Sequence, residues 1–223
     1  MSAPRPMIRQ DYFTRMVQEL THVLARVQFL RRREEHEQAL QEIERVFKQF
    51  WDVDPQQLSL AQLIAACSQE DEGLAEKLVS LADLLKEEGE LYALQQKTTE
   101  SQHRFALALG LYLETLRTSI VSMDLIGKAE HLIEQTKGSR LPAEVLKRLL
   151  SYYEARGLLA KAEDVLFDWL DTSDPDAPAG GLAFYERQTS KSDEELQRGD
   201  LPRDEVESGR MELMKRAAGQ TSR

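Results

Sequence analysis

The stretch Leu150–Pro175, LSYYEARGLLAKAEDVLFDWLDTSDP, decides the fold. Val145, Leu146, Leu149, Tyr152 and Tyr153 form an apolar stripe at helical spacing that stops at Gly157. Leu159, Ala162, Leu166, Trp169 and Leu170 then form a second stripe. Gly157 occupies the turn, where a residue free to take positive φ ends a helix cheaply. Ala162 is small where the second helix must come close to the first, and Leu166 fills the groove beside it. The expectation is a helical hairpin.

The same logic extends in both directions. Toward the N-terminus, Ala129 and Ile133 take the roles of Ala162 and Leu166, 33 residues earlier. Ser101 with Phe105, and Ala39 with Ile43, fit at unequal spacings of 28 and 62 residues. A long amphipathic helix is expected from Ile8 through Phe13, Met16, Val17, Leu20, Val23, Leu24, Val27 and Leu30, and a second from Ala39 to Phe50, ending before Pro55. Ser59 with Gln62 is a capping-box pattern opening a short helix through Cys67. Leu74 to Leu94 makes the next, Thr99 with Gln102 caps another running to Ile120, and Ile126 to Ile133 a further one stopped by Gly138. Pro142 suits a first helical turn. Toward the C-terminus, Thr172–Gly181 (TSDPDAPAGG) is expected to be a loop or linker. Short helices should follow at about 182–188, 193–198 and 203–216, with Gly199 as a stop.

Composition agrees. The chain has 223 residues, 30% charged, 41% apolar and 7% aromatic. Leu occurs 33 times against 16 for Val and Ile together, which favours helices over strands. Only Pro55 lies between Pro6 and Pro142. The net charge of −10 argues against a generic nucleic-acid or anionic-membrane binder. Residues 1–33 nevertheless carry +5 and residues 34–100 carry −11, which points to complementarity within the chain or between subunits. One cysteine, Cys67, cannot form an internal disulfide. The start lacks the apolar core of a signal peptide, and the longest apolar-rich run, Phe105–Leu113, is half a membrane span. A cytoplasmic protein is expected.

Leu150–Pro175 resembles one tetratricopeptide repeat, and the earlier units are looser copies of it. An unrelated helical bundle with similar helix pairs is the alternative. The whole chain also resembles an uncharacterised family of bacterial helical proteins related to tetratricopeptide repeats. The resemblance rests on Met7-Ile8-Arg9-Gln10-Asp11-Tyr12, Phe184-Tyr185-Glu186-Arg187, Ser192-Asp193-Glu194-Glu195-Leu196 and Leu201-Pro202-Arg203-Asp204-Glu205-Val206. It implies an ordered C-terminal segment and supplies no activity. Leu94–Glu100 (LQQKTTE) departs from it, lacking the glycine a repeat of the usual kind places in its turn.

Few residues suggest chemistry. Glu19-x-x-His22 and Glu100-x-x-His103 have the spacing of di-iron helical proteins, but Arg15 and Arg26 flank the first pair. His36 and His131 have the setting of surface residues, and Cys67 lies on an apolar face with Leu60, Leu63 and Ile64. No phosphate-cradling loop, nucleophile elbow or Cys-x-x-Cys pair occurs. No catalytic residue, cofactor or metal is implied. Arg26, Arg31 and Arg32 could meet an acidic partner, although arginines at a helix end also suit the dipole. Tyr152, Tyr153, Phe184 and Tyr185 concentrate aromatics in an aromatic-poor chain and are candidates for a groove or subunit contact.

The expected fold is all-α: antiparallel helix pairs stacked as a degenerate tetratricopeptide-like array over residues 1–171, with short C-terminal helices over 172–223, docked or partly flexible. The expected function is a non-enzymatic protein–protein interaction or assembly module, with a protein or peptide partner and a homodimer through the first helix. It has no membrane partner. The alternatives are a nucleic-acid-binding regulator using the basic N-terminal helix and a helical di-metal carboxylate enzyme.

Overall fold

In a computed structural model the chain is all-α, with eleven helices and no strand among the described residues, 7–51, 59–68, 73–118 and 122–220. It divides into two compact units, Met1–Arg140 and Leu141–Arg223. The expectations at Pro55 and Ile120 lie outside the described residues.

In the first unit, α1 (Met7–Arg32) packs on α2 (His36–Trp51) and on α4 (Leu74–Leu94). α5 (Thr98–Thr118) lies along α4, α6 (Met123–Gln135) packs on α5, and the short α3 (Leu60–Cys67) rests on α4 and α5. The stripe residues Leu20, Val23, Val27, Leu30, Ile43 and Phe47 are buried, as periodicity requires. α5 is buried on every side from Arg104 to Thr115, so the apolar run within it is a core helix. No helix among the described residues is long and apolar enough to cross a membrane. The Ser59 hydroxyl accepts the Gln62 N–H at 3.2 Å and the Gln62 amide oxygen accepts the Ser59 N–H at 2.9 Å, closing the expected capping box on α3.

Polar groups also cross this core. Arg104 and Glu88 form a buried ion pair at 2.8 Å, and the Tyr112 hydroxyl donates to Asp83 at 2.5 Å while Lys128 reaches the same carboxylate at 3.1 Å. These bonds tie α5 and α6 to α4. Burial and the Asp83 carboxylate push the Tyr112 phenol far above its ordinary value, so it stays a donor.

The second unit opens with the hairpin of α7 (Ala143–Ala155) and α8 (Leu159–Leu170), joined through Gly157 at φ 72°. α9 (Ala177–Thr189) packs on α8 and on α11 (Arg203–Gln220). α10 (Asp193–Arg198) carries a second capping box, between Ser192 and Glu195. The Gly199 carbonyl just beyond it accepts the Ala160 N–H of α8 at 2.9 Å.

The structure corrects several boundaries. Pro178, Gly180 and Gly181 are not linker but the first turns of α9. Proline fits the second helical position because that N–H needs no partner. A Cβ on Gly180 would stand 2.1 Å from the Trp169 ring, so glycine is there to admit the indole. Composition shifts at Asp171, while the two compact units divide after Arg140, so α7 and α8 fall in the same unit as α9, α10 and α11. Pro142 is the N-cap of α7 rather than its first residue, and Thr99 lies inside α5 rather than capping it.

Four helix ends share one turn, in which the residue after the C-cap takes positive φ. Its N–H and the next return to carbonyls of the last turn, which satisfies otherwise orphaned acceptors. After α7 the left-handed residue is Gly157, with Gly157 N–H to Glu154 and Leu158 N–H to Tyr153. After α1, α4 and α10 it is Glu34 at 62°, Gln96 at 61° and Asp200 at 57°. The glycine missing from Leu94–Glu100 is thus replaced by a strained glutamine. Gly199, expected to stop α10, is its C-cap at φ −88°.

Candidate functional site

An open groove of about 610 Å³ lies in the first unit, at the C-terminal ends of α1, α4 and α6. Its apolar lining is Ala93, Leu94 and Phe105. Leu94 is 56% exposed, because it falls off the Leu74, Leu78, Leu81, Leu85 stripe that faces the core. Its rim is polar: Arg31, Arg32, Glu90, His131 and Gln135.

The rim cations differ. Arg31 is ion-paired with Glu87 at 3.2 Å and with Glu90, and Gln28 donates to the same Glu87 at 3.0 Å. These contacts spend its charge on α4. Arg32 is exposed and makes no ion pair among the described residues. Arg33 turns to Glu35 at 2.7 Å. Arginines here also complement the α1 carboxyl end.

Of the residues singled out from sequence, Arg31 and Arg32 line this groove, while Arg26 lies further back on α1, 5.8 Å from the Phe29 ring. Tyr152 and Tyr153 sit together on α7 in the second unit, half-buried, with ring centroids 5.6 Å apart and Arg156 and Lys161 over them. Phe184 and Tyr185 are fully buried and sit in the core rather than in an exposed groove. The Tyr185 hydroxyl donates to Glu163 at 2.6 Å. The groove residues missed from sequence are Ala93, Leu94, Phe105, Glu90 and Gln135; the off-register Leu94 was the available signal.

The metal candidates stay apart. Glu19 is held by Arg45 at 3.2 Å and His22 is exposed. Glu100 is exposed, and burial with nearby Arg104 lowers the His103 imidazole below its usual value. No three His, Cys, Asp or Glu side chains converge among the described residues. Cys67 is buried, which pushes its thiol up to about 11 and disfavours the nucleophilic thiolate.

Compared with known proteins, residues 7–218 match the model of a family of unknown function, DUF6483. No curated protein and no solved structure matches the chain.

Proposed function

The chain belongs to the DUF6483 family, and for it we propose a non-enzymatic interaction module that holds a short acidic and apolar peptide segment of a partner protein in the α1–α4–α6 groove. The observation that carries this reading is an exposed Leu94 in an apolar stretch of the groove that Arg32, a cation with no ion pair among the described residues, also lines. An apolar lining takes a partner's Leu or Phe side chain, and the Arg32 guanidinium selects a carboxylate next to it. A tetratricopeptide-like reading of the hairpins agrees with it. Ala39, Ser101, Ala129 and Ala162 are all buried where the repeat template places small residues, and arrays of that kind hold polypeptides. That step is one of fold analogy. α6 packs on α5, so the repeat around Ala129 would share α5 with the repeat around Ser101. A single buried thiol suits a reducing, cytoplasmic setting.

Random peptides displayed on phage and selected on the intact chain test the reading. Recovered peptides should combine Asp or Glu with Leu or Phe. Their affinity should fall roughly tenfold, about 1.4 kcal/mol, for Arg32→Glu and for Leu94→Glu. Binders indifferent to both substitutions would overturn the assignment.

A further inference from the structure

We propose that the exposed face of α1 docks onto the exposed face of α8 of a second copy of this chain. On α1, Arg26 and Phe29 fall at i and i+3 and share one face, and Arg33, the first residue past the helix, reaches the same ring. Phe29 is 47% exposed, with the guanidinium carbons of Arg26 and Arg33 5.8 and 5.6 Å from its ring centroid. On α8, Asp164, Phe167 and the C-cap Asp171 repeat the spacing with opposite charge, and Asp168 stands beside them. Phe167 is 41% exposed. Each face is an apolar ring flanked by charge, mainly cationic on α1, where Arg33 also meets Glu35, and mainly anionic on α8, where Lys161 turns to Tyr153.

The acidic face lacks internal compensation. Asp164, Asp168 and Asp171 are exposed and have no ion pair among the described residues. Although exposed, the Asp168 carboxyl is partly desolvated, and that, with the like charges of Asp164 and Asp171, holds it above its ordinary range. A cationic partner relieves that repulsion. Charge also selects the pairing. α1 against α1 sets arginine on arginine and α8 against α8 sets aspartate on aspartate, whereas α1 against α8 sets the arginines against the aspartates and brings the two rings together. A second copy carries both faces, so the contact is heterologous; it closes a dimer when made reciprocally and grows a chain when not.

The test is sedimentation velocity on the full chain with two charge-reversed variants, R26E/R33E and D164K/D171K, each checked for native helicity by circular dichroism. Wild type should self-associate below about 100 μM, and roughly tenfold more weakly when salt rises from about 50 to 500 mM. Each variant alone should be monomeric, because its two faces then carry the same sign. Mixing the variants should restore association, since each supplies the charge the other lost; a folding defect would not be rescued. A wild-type monomer at about 100 μM, association untouched by either reversal, or a mixture that stays monomeric would overturn the proposal. So would a monomer whose arginines instead bind duplex DNA in a salt-sensitive way.

Discussion

The left-handed turns predict opposite effects of glycine at two places that share one backbone geometry. Gln96 after α4 has φ 61° and Gly157 after α7 has φ 72°, each closed by the same pair of backbone bonds. Neither position involves packing: Gln96 is exposed with no side-chain bond among those described, and a Cβ on Gly157 would meet nothing within 4 Å. The effect is therefore conformational. A side chain in this region costs about 1–2 kcal/mol, and the extra freedom of glycine in the unfolded chain takes back about 0.5–1 kcal/mol. Gln96→Gly should then stabilise by about 0.5–1 kcal/mol and Gly157→Ala should destabilise by about as much. Followed by circular dichroism, these changes move the thermal midpoint by about 1–4 °C, upward for Gln96→Gly and downward for Gly157→Ala. A lowered midpoint for Gln96→Gly, or an unchanged one for Gly157→Ala, would refute the reasoning.

Two further expectations concern the second unit. Gly180→Ala puts a methyl group 2.1 Å from the Trp169 ring and should cost about 1–3 kcal/mol. Urea unfolding reads the loss, and a shift in Trp169 emission, with Trp51 replaced by Phe, reports the displaced indole. Lys147 at 2.9 Å, the Asp176 N–H and the Trp169 Nε1 donor hold the Asp174 carboxyl down to about 2. A lowered carboxyl stabilises the fold above its ordinary value of 3.8 and loses that contribution as pH falls toward about 2. Thermal midpoints of wild type and Asp174→Asn should therefore converge across that window, and a constant difference would count against the arrangement.

Element type was legible because the core is periodic: Leu20, Val23, Val27 and Leu30 carry α1, and Ser59 with Gln62 marks α3 in four residues. Turns were legible only where glycine made them. Glu34, Gln96 and Asp200 adopt the same conformation without advertising it, since hydrogen bonds of the helix end and the docking of the next helix offset their strain. Gly180 and Gly181 misled in the opposite sense, since glycine there serves close approach to Trp169 and Leu166 rather than a turn. Phe184 and Tyr185 are core only because α8 and α11 pack on α9, which carries them, and the sequence does not display that packing. The groove was half legible. Arg31 and Arg32 stood out as charge, but the apolar lining comes from helix ends 60 to 75 residues away in sequence, which only tertiary packing brings together.

The interaction role rests on the groove at the ends of α1, α4 and α6. Nuclear magnetic resonance of the labelled chain, titrated with an acidic, Leu-containing peptide selected on it, tests that most directly. Amide shifts at Arg31 and Arg32, at Glu90–Leu94 and at His131–Gln135 are the predicted result. Shifts confined to α7–α11, or saturable binding that leaves those amides unmoved, would contradict it.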